Sequence, residues 1–315
     1  MPLETPKFWR SKGLIAQLLR PASCLYYWGH KFNTSSAKTY KSSIPVICIG
    51  GVVAGGSGKT PVLHGLLKMI RAHGPYENPV ILCRGYGGAL KGPSVVDPKV
   101  HTAKDVGDEA LLHARYAPTI ISPDRAAGAK LAEAMGADAI LMDDGLQNNS
   151  LYKTFSFLVI NARYGIGNGY LLPAGPLREP LVDALSRCNA IISTGGILAD
   201  EYPQAILATE MTVTSTHDKK KTYLGFAGIA HPEKFKHTLE EHGFLLEGFK
   251  SFPDHHPYSD ADMKNLLKKA GAHKLITTEK DFVRIPDVYK DKVECLVIEI
   301  FFKNPDHLQS IFRSA

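Results

Sequence analysis

Residues Ile44 to Pro61 read IPVICIGGVVAGGSGKTP. An apolar, strand-like run ends at Gly50, six of the next ten residues are Gly, Ser or Thr, and a helical pattern begins at Lys59 or Thr60. Strand, small-residue loop and helix in that order form the context of a phosphate cradle. Small residues let successive backbone N–H groups converge on an anion at the positive end of a helix. In this reading Val53, Ala54, Gly55, Gly56, Ser57, Gly58, Lys59 and Thr60 surround the phosphates of ATP. Lys59 reaches the β- and γ-phosphates, and the Thr60 hydroxyl sits on Mg²⁺. The common pattern G-x-x-x-x-G-K-[ST] has a glycine five positions before Gly58, where this chain has Val53.

The second part of such a site is AILMDDG, Ala139 to Gly145, an apolar strand ending in two carboxylates. Asp143 or Asp144 is the candidate Mg²⁺ ligand, directly or through water, because hard cations take oxygen ligands. Short apolar runs alternate with helical patterns from residue 45 to residue 194, which predicts βαβ units and a mainly parallel sheet. From Gly195 to Lys221 the pattern weakens, and the lysine-rich STHDKKK precedes the strand-like TYLGFAG. The expected organisation is an arm over 1–41, a P-loop domain over 42–195, a linker over 196–221 and a smaller α/β lobe over 222–315. The fold class is thus α/β, a P-loop NTPase-like parallel sheet with a second lobe and an N-terminal amphipathic helix.

The chain has 315 residues, 44% hydrophobic and 22% charged, in the range of ordinary globular proteins, and a net charge of +6. Residues 1–41 carry Lys7, Arg10, Lys12, Arg20, Lys31, Lys38 and Lys41 against Glu4 alone, so the whole excess lies there and the remainder is balanced. A nucleic-acid surface would spread positive charge over the domain, and no nucleic-acid partner is expected. The same arm holds both tryptophans, Trp9 and Trp28, and Leu14, Ile15, Leu18 and Leu19 at helical spacing. Two readings stay open: an interfacial helix bent near Pro21, with aromatics at headgroup level and cations toward anionic lipid, or a helix packed on the protein's own core. No run approaches the ~18 consecutive apolar residues of a membrane span. The five cysteines are scattered without a C-x-x-C pair and are expected to be reduced.

Three further segments carry candidate chemistry. VGDEALL holds Asp108 and Glu109 and, taken alone, reads first as a helix start with capping acids. SFPDHHPYSD, Ser251 to Asp260, sets His255 and His256 between acids and prolines, suited to acid–base work or to capping a surface turn. LPAGPLREPL, Leu172 to Leu181, is a rigid loop presenting Arg178 and Glu179, suited to holding phosphate. No N-K-x-D base-reading motif of a GTPase is present, and Ala54 stands where one class of regulatory ATPases keeps an extra lysine. A membrane-associated P-loop regulatory ATPase remains the alternative class.

Together with CIGGVVAGGSGKTP, CRGYGG, SPDRAAGAKLAEAMGADAILMDDGLQ and ITTEKDFVRI, these segments run in order from about Ser43 to Ile285. As a set they resemble the tetraacyldisaccharide 4′-kinases of lipid A synthesis. The resemblance implies ATP- and Mg²⁺-dependent phosphorylation of the 4′-hydroxyl of a tetraacyldisaccharide 1-phosphate lipid. It further implies a peripheral position on the cytoplasmic face of the inner membrane. By motif matching it assigns Asp108 and His255 as a pair assisting the attacking hydroxyl. Arg125 and Arg178 are then candidates for clamping phosphates. The chain departs from the family pattern at Gly51, where Asn is usual, and at Asn148, where His is usual.

Overall fold

A computed structural model describes residues 6–35, 38–55, 58–196, 198, 202 and 204–313. The arm folds as α1 (Leu14–Leu18) and α2 (Arg20–Ser35), with the break at Leu19, next to Pro21. Proline can occupy the first turn of a helix but not its interior, so the second helix restarts there.

The first strand, β1 (Val46–Gly50), is buried along its whole length, as strands covered on both faces must be. It leads through the loop into α3 (Lys59–His73), whose Leu63, Leu66, Leu67 and Ile70 repeat at i, i+3, i+4, i+7 and are fully buried. That stripe packs on Ile47 and Ile49 of β1, while Val46 and Cys48 point to the opposite face of the sheet. There follow β2 (Pro79–Cys83), the short β3 (Ser94–Val95), α4 (Ala103–Val106), α5 (Asp108–Ala114) and β4 (Thr119–Ile121). Next come α6 (Arg125–Ala134), β5 (Ala139–Asp143), β6 (Phe155–Asn161), α7 (Leu181–Leu185), β7 (Ala190–Thr194) and β8 (Ala205–Val213). On the second face α6 presents small residues, Ala129 and Ala132, to Val80, Leu82 and Met142.

A smaller parallel sheet follows, built from β9 (Thr222–Ala227), α8 (Pro232–Glu241), β10 (Leu245–Ser251), α9 (Asp260–Ala270), β11 (Lys274–Thr278), α10 (Glu279–Phe282), α11 (Asp287–Lys290) and β12 (Val293–Leu296). Its strand order is β10-β9-β11-β12. The chain then goes back: β13 (Ile298–Phe302) pairs antiparallel with β8, and α12 (Pro305–Arg313) buries Leu308 and Phe312 in the core under α3. The large sheet therefore runs β13-β8-β7-β6-β1-β5-β2-β4-β3, parallel except at its two outermost strands.

Two expectations about organisation are corrected here. The segment expected as a linker, 196–221, contains the nine-residue strand β8, hydrogen-bonded to β7. The segment expected to end the small lobe returns to the large one, because the apolar run that reads as a single strand near 294–300 is two. Val293–Leu296 pairs with β11 and Ile298–Phe302 with β8, in different sheets. Phe312 stacks edge-on against Phe155 and Phe157 at centroid distances of 5.0 and 6.0 Å. Phe312→Ala should cost about 3 kcal/mol of stability in urea unfolding, as truncation of a buried aromatic does. A loss near zero would place α12 off the large core.

Candidate active site

The loop that follows β1 obtains its shape from two glycines and one strand-like contact. Gly55 and Gly58 adopt φ of 116° and 83°, conformations that residues with a Cβ rarely take. Val53, by contrast, makes an antiparallel bridge to Leu177, flanked by Ala54 N–H donating to Pro176 O (2.8 Å) and Arg178 N–H donating to Val52 O (2.7 Å). The backbone at Val53 is extended, which a β-branched side chain favours. The glycine of the common motif is dispensable here because the 172–181 loop straps the cradle. Gly56 and Ser57 lie outside the described residues.

Two carboxylates face this loop from the end of β5. Asp144 adopts φ 47°, and its carboxylate meets Arg178 Nη1 at 2.7 Å and Lys59 Nζ at 3.6 Å. Arg178 and Lys59 are thus brought together, with Asp144 between them as their counter-charge. Asp143 is buried; its Oδ2 lies 3.1 Å from His113 Nε2, and its Oδ1 has no hydrogen-bond partner among the described residues. Burial pushes the Asp143 carboxyl toward the neutral form, but the His113 hydrogen bond and the Lys59 and Arg125 charges outweigh it and hold the pKa below the ordinary value.

Arg125, expected as a phosphate clamp, has a different place. It is 4% exposed and donates to Ser122 O (2.9 Å) and Asp143 O (3.3 Å). Its guanidinium is committed to the carbonyls at two strand ends and braces the Asp143 backbone.

Asp108 and His255, 147 residues apart, meet across the two lobes. His255 Nδ1 is 2.8 Å from Asp108 Oδ2, and Asp108 Oδ1 accepts from the Glu109 N–H at 3.0 Å. Gly107 makes this possible at one end: its φ is 87°, and a Cβ there would stand 2.3 Å from Tyr86 O. Asp108 thereby becomes the first residue of α5, with its side chain turned toward the small lobe. At the other end His255 adopts φ 58°, and its N–H is held by Gly228 O at 3.1 Å. The supporting hub is Asp281, fully buried, which accepts from Gly228 N (2.9 Å), Tyr258 OH (2.8 Å) and Arg284 Nη2 (2.5 Å). Arg284 also reaches Asp108, with Nε 3.8 Å from Oδ2.

This arrangement sets the protonation of the pair. Burial works to raise the Asp108 pKa, but the His255 hydrogen bond and the charges of Lys280 and Arg284 bring it below the usual carboxylate value. The hydrogen bond to Asp108 raises the His255 pKa above the ordinary histidine value, against burial and the Lys280 charge. The ring's other nitrogen, Nε2, points away from Asp108, 3.8 Å from Asp254 Oδ2, on a side chain 39% exposed.

The arm joins the same site through the strap. Ser23 Oγ donates to Leu171 O (2.8 Å), Trp9 Nε1 donates to Pro173 O (3.0 Å), and Leu171 bridges Leu177, the partner of Val53. Leu14, Ile15, Leu18, Leu25 and Trp28 are between 57% and 76% exposed, so the core-packed reading of these side chains does not hold. Among the described residues, no helix is long and apolar enough to cross a membrane.

Sequence reasoning did not single out His64, His113, Gln147, Arg284 or the structural part of Glu179. Gln147 Nε2 bridges Gly51 O and Glu179 Oε1, both at 2.9 Å, and pins the cradle to the strap. The available signal for the two histidines was a polar residue set among leucines on the buried face of a helix.

A family model described as tetraacyldisaccharide-1-P 4′-kinase matches residues 15–315. The protein named tetraacyldisaccharide 4′-kinase of Paramagnetospirillum magneticum is 41% identical over 320 residues, covering 98% of each chain. That of Parvibaculum lavamentivorans is 44% identical over 300 residues, covering 90% of this chain and 87% of the relative. The crystal structure of LpxK from Aquifex aeolicus in complex with ATP superposes with a TM-score of 0.81 at 24% identity, over 96% of this chain and 99% of that one.

If the interlobe hydrogen bond is made in solution, the His255 ring in Asp108→Asn should titrate at lower pH than in the wild type, because the partner's negative charge is gone. Histidine NMR titration measures this directly. Identical titration in the two proteins would count against the contact.

Proposed function

This chain belongs to the tetraacyldisaccharide-1-P 4′-kinase family, and from that membership we propose that it transfers the γ-phosphoryl group of ATP to the 4′-hydroxyl of a tetraacyldisaccharide 1-phosphate, giving lipid IVA. The observation that carries the reading at the level of residues is the 2.8 Å contact between Asp108 and His255, made beside a phosphate loop. Asp108 opens the helix whose His113 touches Asp143. The same short helix therefore carries both the residue that meets His255 and the residue that meets the carboxylate at the end of β5.

In this mechanism ATP lies with its phosphates on Val53 to Thr60. Lys59 and Arg178, neutralised by Asp144 in the structure, turn to the phosphates when these arrive. Mg²⁺ fits the residues present: Asp143 keeps one buried carboxylate oxygen without a hydrogen-bond partner among the described residues, and Thr60 lies in the first turn of α3, which opens at Lys59. When bound, the ion neutralises charge on the β- and γ-phosphates. Asp143, Asp144 and Thr60 are the residues that would hold it. The acceptor oxygen forms its bond to the γ-phosphorus as the bond to the β-phosphate bridging oxygen breaks, and ADP leaves. The hydroxyl proton passes to Nε2 of His255, while Asp108 holds the ring through Nδ1 and stabilises the imidazolium that forms. Little covalent work falls to the protein, so positioning and charge carry the rate.

The arm supports a membrane-bound acceptor. We infer that α1 and α2 lie on the cytoplasmic face of the inner membrane, with Leu14, Ile15, Leu18, Leu25 and Trp28 in the lipid and the surrounding Lys and Arg side chains on anionic headgroups. The acyl chains of the substrate then stay in the bilayer while its sugar enters the cleft between the lobes.

Purified protein should move label from [γ-³²P]ATP to the disaccharide lipid. Lys59→Ala should reduce transfer by at least a thousandfold, and Asp108→Ala should lower kcat by about a hundredfold or more with ATP affinity within a few-fold of wild type. ATP hydrolysis without a labelled lipid product would overturn the kinase reading, and wild-type turnover in Asp108→Ala would remove Asp108 from the mechanism. For the arm, the triple variant Leu14→Ser/Leu18→Ser/Leu25→Ser should bind anionic vesicles several-fold more weakly. Vesicle binding at the wild-type level would detach the arm from the membrane role.

A further inference from the structure

Three elements of the large lobe each contribute one buried polar side chain to a single row. His64 comes from the phosphate-loop helix α3, His113 from α5, and Asp143 from the end of β5. Their exposures are 7%, 0% and 5%. His64 Nε2 lies 2.9 Å from His113 Nδ1, and His113 Nε2 lies 3.1 Å from Asp143 Oδ2. Neither histidine belongs to the loop, the acceptor pair or the strap, and the mechanism above uses neither.

The direction of the hydrogen bonds follows from the chemistry of the acceptor. An ionised carboxylate only accepts, so Nε2 of His113 carries a hydrogen. Burial holds the His64 pKa well below the ordinary histidine value, and the two rings share one hydrogen between His64 Nε2 and His113 Nδ1. The row ends on the Asp143 carboxylate, which accepts from His113. Its far end is fixed as well: His64 stacks on Tyr116 with centroids 3.9 Å apart and planes at 19°, and Tyr116 OH donates to Glu279 Oε1 at 2.7 Å in the small lobe.

The consequence falls on Asp143. Arg125 holds its backbone carbonyl and His113 holds its Oδ2, which leaves one rotamer and one oxygen, Oδ1, without a hydrogen-bond partner among the described residues. A buried carboxylate oxygen left unpartnered is costly unless a cation completes it. We propose that His113, backed by His64, is a positioning residue that aims Asp143 Oδ1 at the catalytic Mg²⁺. The proposal rests on the reading of Asp143 as a metal ligand. A second hydrogen-bonding layer of this kind orients ligands and is worth about ten- to a hundredfold in metal affinity or activity.

The test compares His113→Leu, which preserves the apolar volume and removes the donor, with His113→Gln, whose Nε2 restores an N–H near the imidazole Nε2. Mn²⁺ binding to full-length protein saturated with a non-hydrolysable ATP analogue is read by electron paramagnetic resonance, with melting temperature measured in parallel. His113→Leu should weaken Mn²⁺ binding tenfold or more, and His113→Gln should return it to within about threefold of wild type. In lipid phosphorylation, His113→Leu should raise the Mg²⁺ concentration for half-maximal rate while leaving the KM for the lipid unchanged. Mn²⁺ binding at the wild-type level in His113→Leu would overturn the proposal. So would an equal loss of Mn²⁺ affinity and melting temperature in both variants, which would mark a packing role. The metal readout needs no lipid, so failure of the lipid-kinase reading would show separately, as absent lipid phosphorylation by the wild type.

Discussion

Charge compensation at the ends of β1 and β5 is the constraint on which the rest of the site depends. Two consecutive carboxylates leave the strand where a loop built to receive phosphate must also stand, and an unpaired buried charge would cost several kcal/mol. The chain meets this by treating the two differently. Asp143 is fixed from the protein side by His113 and Arg125. Asp144 faces the loop and takes the two cations, Lys59 and Arg178, that phosphate would otherwise engage. One carboxylate is thus held by the protein on one oxygen, and the other is the counter-charge of two cations; the proposed mechanism uses the first for Mg²⁺ and the second as a place-holder for phosphate.

That local solution propagates outward through backbone pairing. Arg178 reaches Asp144 because its own N–H is bonded to Val52 O, and the same strap is bridged to Val53 and Leu171. The strap is in turn held by Ser23 and Trp9 of the arm. A continuous set of hydrogen bonds therefore connects the exposed apolar face of the arm to the phosphate loop. Docking of the arm and the shape of the cradle share the same backbone.

The small lobe brings His255 to Asp108, and its attachment to the large lobe bears on how that contact is held. The chain enters it after β8 and leaves it directly into β13, which pairs with β8. Both connections spring from one edge of the large sheet, so the lobe is tied at two adjacent points. Across the opposite side, His255, Arg284 and Lys280 meet Asp108 and Glu109 at the start of α5. The hub at Asp281 fixes the loop that carries His255, which shows why a buried aspartate sits in ITTEKDFVRI.

The sequence by itself determined what depends on neighbouring residues: the strand–loop–helix at Ile44 to Pro61, the carboxylates ending Ala139 to Gly145, and a parallel α/β fold. Backbone propensity, apolar periodicity and small-residue loops act over a few residues and are legible there. The pairing of Asp108 with His255 came from resemblance to a family, since nothing within VGDEALL or SFPDHHPYSD points at the other segment. Only the tertiary structure decided that Ile298–Phe302 leaves the small sheet for the large one, that the segment near 205–213 is a strand, and that Arg125 serves carbonyls. It also decided that two histidines set among leucines form a row ending on Asp143. In each case the deciding partner lies outside the local window, from 15 residues away for the strand near 205–213 to far more for the others, except for Arg125, where burial settles the matter. A hydrogen bond or an exclusion of water between distant segments leaves no periodic trace in either of them.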